Sequence, residues 1–208
     1  MKIIMMNVGM IETNCYIAFC EKSMEGVVID PGDNAQSILK AIKDNGIKVK
    51  YIINTHGHMD HIGANMEVKE KTNAELLIHE LDAEMLINTR RSLADFMNKD
   101  FKTVGADKIM KEGDVISFGE ESLKVIHVPG HTLGGVALYN EKNNICFTGD
   151  TLFYGSIGRT DLPGGDFNTI IKSIKNKLFI LPDKTIVLPG HGPDSTIAQE
   201  KRINPFVR

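Results

Sequence analysis

The sequence predicts a layered α/β fold, with two mixed β-sheets packed face to face and helices on the outside, formed as one domain over residues 1–208. Three observations predict it. Two sets of short apolar runs, one at the start of the chain and one past its middle, read as strand meanders. Strand and helix signals alternate after each meander, as in a layered α/β domain. Four widely separated apolar strands each give way to a small or turn-forming residue and then to a histidine or aspartate. The composition agrees, since 42% hydrophobic and 25% charged residues are ordinary for a globular chain able to bury a core.

The first meander comprises strands near Lys2 to Asn7, Asn14 to Cys20 and Gly26 to Asp30, the last ending in the turn signal "DPGD". Ile38, Leu39 and Ile42 recur at helical spacing from Ala35 to Asn45, where Asn45-Gly46 supplies a stop before the strand "KVKYIIN". "IGANMEVKEKT" then suits a helix, "AELLIH" a strand and "ELDAEMLIN" another helix. "TRRSLADFMNKDFKTVGA" has no clean period and reads as a surface loop, with a lid or an interface around Arg90 to Phe101 as alternatives. "DVISFG", "LKVIHV", "GVALYN" and "NICFTG" form the second meander. A helix near Phe167 to Phe179, the strand "KTIVLPG" and a short helix near Ile197 to Arg202 complete the chain.

Several classes of function are disfavoured. A net charge of -3 without a long basic run gives no attraction for a phosphate backbone, so no nucleic-acid partner is expected. Asn7, Glu12 and Asn14 interrupt the apolar N-terminal stretch, so neither a signal peptide nor a membrane span is expected, and the default location is the cytoplasm. Cys15, Cys20 and Cys146 sit in strand-like segments without a C-x-x-C spacing, and read as reduced, buried residues.

The chemistry is concentrated in "NTHGHMDHIGAN", where His56, His58, Asp60 and His61 occupy six consecutive positions. "YIINTH" ends at His56, "VIHVPGH" at His131, "ICFTGD" at Asp150 and "TIVLPGH" at His191. Ligand sites in α/β sheets form beyond the carboxyl ends of strands, so these loops can converge. Glycines at 130, 149 and 190 allow the backbone to turn and approach an ion. The donor set is then His56, His58, Asp60, His61, His131, Asp150 and His191: imidazoles and carboxylates, with no thiolate. Such a set suits zinc first, and also iron or manganese. Seven donors exceed one tetrahedral site and fit two divalent ions with a bridging carboxylate. His79 and His127 lack this loop position and read as packed, hydrogen-bonded histidines.

"THGHMDH", with "VPGH", "TGD" and "LPGH" downstream, resembles the metallo-β-lactamase superfamily across essentially the whole chain. The resemblance implies a four-layer αβ/βα sandwich with a two-metal site at the rim between the sheets. It implies that His56, His58 and His131 hold one ion, that Asp60, His61 and His191 hold the other, and that Asp150 bridges. Asp30 in "IDPGD" is similar to a recurrent aspartate that supports the metal loops. "GDTLFYGSIGRTDLPGGD" resembles the glyoxalase II branch in its short form, without an appended C-terminal helical domain, and Arg159 matches that branch's basic substrate-binding position.

The expected function is therefore a metal-dependent hydrolase that cleaves an anionic thioester, such as a hydroxyacylglutathione, by attack of a metal-bridging hydroxide. Asp60 or Asp150 would orient the attacking oxygen, and Arg159 would fork onto a substrate carboxylate unless it is simply a surface cation beside Asp161. Two alternatives stay open. Persulfide dioxygenases resemble the same scaffold with one iron, which here would sit on His56, His131 and Asp150. A non-catalytic metal-binding module is the other, and it would have a closed ligand shell. The oligomeric state is left open.

Overall fold

The computed structural model describes residues 1–97 and 104–207. Strands β1 (Lys2–Val8), β2 (Thr13–Phe19) and β3 (Glu25–Ile29) form the expected antiparallel meander. Helix α1 (Ala35–Asp44) leads to β4 (Lys48–Ile53), parallel to β3, and helices α2 (Met59–Ile62) and α3 (Asn65–Thr72) lead to β5 (Glu75–His79), parallel to β4. Strand β6 (Lys108–Met110) adds the parallel edge. The second sheet contains the antiparallel run β7 (Val115–Phe118), β8 (Glu121–His127), β9 (Val136–Asn140) and β10 (Ile145–Gly149). A small hairpin, β11 (Leu152–Phe153) and β12 (Ser156–Ile157), precedes α4 (Phe167–Ser173), which runs into a π-helical turn at Ile174–Leu178. Strand β13 (Ile186–Pro189) pairs parallel to β10, and β14 (Ser195–Thr196) and α5 (Ile197–Ile203) follow.

Among the described residues the sheets run β1-β2-β3-β4-β5-β6 and β14-β13-β10-β9-β8-β7. Period-two alternation sends successive side chains of β2 to opposite faces, so Ile17 and Phe19 meet α1 and α3 while Tyr16 and Ala18 face the other sheet. The result is three apolar layers. One lies under α1 and α3, around Ile38, Val68 and Leu76. The middle one, around Ile53, Phe118, Leu138 and Phe147, is sandwiched by the two sheets. The third packs α4, the π-helical turn and α5 onto the second sheet through Ile170, Ile174, Val187 and Ile197. The four-layer αβ/βα sandwich is thus present, with helices on both outer faces.

Caps locate the helices. Asp166 accepts a hydrogen bond from Thr169 N (2.7 Å) at α4, and Thr196 accepts from Gln199 N (3.2 Å) at α5. The sheets are clasped at one rim, where Asn14 N donates to Gly190 O (2.7 Å), Tyr16 Oη to Pro189 O (2.7 Å) and Val136 N to Thr55 O (2.8 Å). Cys15, Cys20 and Cys146 are free and buried, as expected. No described helix is long and apolar enough to cross a membrane.

Three local expectations are corrected. The helix expected over "IGANMEVKEKT" breaks at Gly63 and Ala64, because Ala64 N donates to Pro31 O (2.9 Å) in the turn after β3. The helix expected over Glu80 to Asn88 is only a 3-10 turn, Ala83–Leu86, since Asp82 is pinned by loops from elsewhere in the chain. β6, the β11–β12 hairpin and β14 are additional strands, each too short to show alternation. Of the segment Arg90 to Phe101, a 3-10 turn at Ala94–Met97 is seen, and residues 98–103 lie outside the described residues.

Phe147 is 1% exposed and meets the Tyr16 ring edge-on, with centroids 5.1 Å apart. Phe147→Ala should therefore lower the unfolding free energy by about 3–5 kcal/mol. Urea titration of both proteins checks this, and a loss below about 1 kcal/mol would contradict the packing described.

Candidate metal centre

All seven sequence-predicted donors meet at the clasped rim. His56 and His58 lie in the loop after β4, and His58 is the extended residue that caps α2. Asp60 and His61 lie on the single turn of α2, and His131, Asp150 and His191 follow β8, β10 and β13. Three groups have ligand atoms within 4.8 Å of one another: His56 with His58 and His131, Asp60 with His61 and His191, and His56 with His61 and Asp150. Asp150 reaches both of the first two groups, with Oδ1 3.4 Å from His61 Nε2, and Oδ2 3.7 Å from His131 Nε2 and 3.6 Å from His191 Nε2. Gly130 and Gly149 adopt positive φ, 132° and 50°. Gly190 serves by its size, since a Cβ there would lie 2.2 Å from Asp150 Oδ1.

The imidazoles are aimed by hydrogen bonds on their far sides. Asp30, 2% exposed, accepts from Thr55 N (2.7 Å), Thr55 Oγ1 (2.6 Å) and His61 Nδ1 (3.0 Å). Because the Thr55 hydroxyl proton goes to Asp30, its oxygen is left to accept from His56 Nδ1 (3.2 Å). His131 Nδ1 donates to Arg159 O (2.8 Å). In His56 and His131 the Nε2 lone pair then faces the centre, and His61 turns Nε2 toward the same space beside Asp60 and Asp150, the arrangement in which outer partners fix the orientation of a metal-binding histidine. Asp60 accepts from Thr13 Oγ1 (3.1 Å) and His191 Nε2 (3.1 Å).

Protonation follows from these neighbours. Burial, reinforced by neighbouring imidazoles, holds His56 well below its ordinary 6.5 and His58 down to about 3, so both are neutral, as ligands must be. Burial also opposes charge on His61, but Asp60, Asp150 and Asp30 outweigh it and push His61 well above 6.5. Asp60 and Asp150 are raised by burial and lowered more by the histidines, His61 foremost, so both stay ionised.

A cation fits this donor set. His56 Nε2, His61 Nε2 and Asp150 Oδ1 are buried without a hydrogen-bond partner, a costly arrangement unless they coordinate an ion. His58 Nδ1 and His131 Nε2 stand 2.9 Å apart, aimed at common space. His58, Asp60, His131, Asp150 and His191 form the floor of a cleft of about 650 Å³.

Asp82 is a residue that sequence reasoning missed. It is 1% exposed and accepts from Gly57 N (3.2 Å), Thr132 Oγ1 (2.7 Å) and Gly134 N (2.7 Å), so one carboxylate ties the His56–His58 loop to the His131 loop. Nothing in "HELDAEM" signals this, because the partners lie far away in the chain. His79 and His127 stand apart from the donors: the rings stack at 4.2 Å and 9°, and His127 Nε2 bonds Leu133 O (2.8 Å). Arg159 lines the cleft, but its guanidinium already forks onto Asp161 at 2.8 and 2.7 Å.

Residues 9–191 match the metallo-beta-lactamase superfamily model. The chain belongs to that superfamily. It is 34% identical to hydroxyacylglutathione hydrolase GloC of Haemophilus influenzae over 198 residues, covering 94% of this chain and 93% of that protein, which supports the glyoxalase II-like branch. The crystal structure of BLEG-1 B3 metallo-beta-lactamase superposes with a TM-score of 0.94 at 35% identity over 99% of both chains. TTHA1623 in a di-iron-bound form gives 0.88 at 34% identity, over 98% of this chain and 99% of that one.

Two outcomes follow from this geometry. In Asp82→Asn an amide N–H must oppose one of three donors, so unfolding free energy should fall by about 1–3 kcal/mol and ion affinity by about 10–100-fold. Chelator-competition titration measures the second effect, and unchanged affinity would contradict the role given to Asp82. Because His61 is pushed well above 6.5, and His191 is raised, despite burial, by its bond to Asp60 and the charge of Asp150, cation uptake displaces protons from these rings. Ion affinity should thus weaken as pH falls below the raised values, by about tenfold per unit for each displaced proton. Calorimetric titration in buffers of different ionisation enthalpy counts the released protons, and release of none would contradict the assignment.

Proposed function

We propose that the protein is a cytoplasmic two-metal hydrolase of thioesters, of glyoxalase II type. The observation that carries this reading is the convergence of seven donors, with His56 Nε2, His61 Nε2 and Asp150 Oδ1 unpartnered, at the base of an open cleft that His58, Asp60, His131, Asp150 and His191 line. His56, His58 and His131 would hold one ion, Asp60, His61 and His191 the other, and Asp150 would touch both. Bound divalent cations, zinc foremost, would acidify water to a pKa of about 7 and polarise a carbonyl.

The chain's own groups do the rest. Asp60 and Asp150 contribute two negative charges against the four positive charges of two divalent ions, so the floor keeps an excess that favours an anionic transition state. Asp60, held by Thr13 and His191, and Asp150 have carboxylate oxygens at the floor that can take a water proton and set the direction of attack. Similarity to the Haemophilus influenzae hydrolase favours a thioester over other acyl substrates. The mononuclear iron dioxygenase reading would use His56, His131 and Asp150 and leave Asp60, His61 and His191 without a role. That second group, and the di-iron form of a similar structure, favour two ions.

Metal quantification paired with a panel of thioesters, lactams, persulfides and phosphodiesters tests the proposal, with turnover expected on thioesters. Asp60→Ala should reduce bound metal to about one ion per chain and thioester kcat/KM by at least about a hundredfold, whereas His79→Ala should keep activity within about twofold. Full turnover by Asp60→Ala, or oxygen uptake with persulfide and no thioester cleavage, would overturn the proposal.

A further inference from the structure

The walls of the cleft differ from its floor. Among the described residues that line it, the walls carry Ile11, Leu93, Phe153, Ile157 and Leu162, and Arg159 is their one charged group. That charge is committed to Asp161 by two bonds, so a substrate carboxylate would have to displace Asp161 to reach it. The Ser92 hydroxyl, also on the wall, donates to Thr89 O (3.3 Å). Phe153 stands edge-on to His191, with ring centroids 6.2 Å apart, so apolar surface begins beside the reacting centre.

This wall is fixed from behind. Leu152 is fully buried and its carbonyl accepts from Thr148 Oγ1 (2.8 Å). Glu200 and Asn204, both 0% exposed, hold the same hairpin from the C-terminal helix: Gly155 N donates to Glu200 Oε2 (2.9 Å), and Asn204 Nδ2 donates to Ser156 O (2.9 Å) and to Glu200 Oε2 (2.9 Å). A buried polar pair that pins a hairpin presents Phe153 and Ile157 as a preformed surface, and a preformed apolar surface selects by burying matching ligand area.

We infer that the Phe153–Ile157 hairpin, with Ile11 and Leu162, is an acyl-binding subsite, and that the protein hydrolyses thioesters of apolar acyl groups carried on a thiol that needs no carboxylate. The inference rests on the thioester reading above and deepens it. Water adds to the acyl carbon and the C–S bond breaks with its electron pair on sulfur. One water proton ends on the thiol, and the other is released as the carboxylic acid ionises. A volume of about 650 Å³ is within the range of small-molecule sites and admits a short or medium acyl chain with part of its carrier.

The test uses the full, metal-loaded chain and acetyl, butyryl and hexanoyl thioesters of N-acetylcysteamine, a neutral carrier, beside S-lactoylglutathione. Hexanoyl should exceed acetyl in kcat/KM by at least about tenfold, consistent with burial of added methylenes, and should exceed lactoylglutathione. Phe153→Ala and Ile157→Ala should each shrink the hexanoyl-to-acetyl ratio by about threefold or more. Calorimetry with unreactive S-hexyl and S-methyl thioethers of the same carrier should show the same order in affinity, independent of turnover. A flat chain-length profile, or lactoylglutathione as the best substrate, overturns the apolar subsite and leaves thioester hydrolysis standing. Failure to cleave any thioester overturns both.

Discussion

Burying unsatisfied ligand atoms side by side is unfavourable, and the centre of this molecule does so deliberately. Each of its three donor groups brings ligand atoms within 4.8 Å of one another, and several of those atoms have no hydrogen-bond partner. Such an arrangement persists only if the backbone is held from outside. Asp30 and Asp82 supply that hold from two directions. Asp30 gathers Thr55 and His61, Asp82 joins the loops of His56–His58 and His131, and the clasp of Asn14 and Tyr16 on the end of β13 keeps the two sheets together where the donors meet.

The donors were legible in the sequence because His56, His131, Asp150 and His191 each follow a strand, where local pattern and function coincide, and His58, Asp60 and His61 crowd into the few positions after His56. The apolar run into His56, or the glycine before His131, is a signal carried by neighbouring residues. The layer order was legible in the order of elements, a strand meander followed by alternating helix and strand signals in each half of the chain, and the apolar run Cys15 to Phe19 of β2 agrees with a strand buried on both faces. What remained hidden depends on partners remote in the chain. Asp82 looks like a helix residue until Gly57, Thr132 and Gly134 are brought to it, and tertiary bonds override the helical propensity around it. Two-residue strands such as β11, β12 and β14 exist because a neighbouring strand fixes them, not because of an alternation of their own.

Arg159 shows the limit of reading a residue by its type. Its sequence position marks a substrate cation, whereas its geometry is a closed fork with Asp161 at the cleft's edge. Its backbone carbonyl, which no side-chain motif reveals, holds His131 in the tautomer that turns Nε2 toward the centre. The same short segment thus couples the walls of the cleft to its floor: Phe153 and Ile157 line the walls, and the carbonyl of residue 159 holds the His131 ring. The apolar wall and the hold on His131 share one stretch of chain, and the buried Glu200–Asn204 pair at the C-terminal helix steadies it.

The central claim is that this single rim holds two cations at once. Anomalous diffraction at the metal edge, from crystals of protein loaded with zinc, measures it most directly. The account predicts two peaks in each chain, one among His56, His58 and His131 and one among Asp60, His61 and His191, with Asp150 in contact with both. A single peak at saturating metal, or peaks away from these side chains, would contradict it.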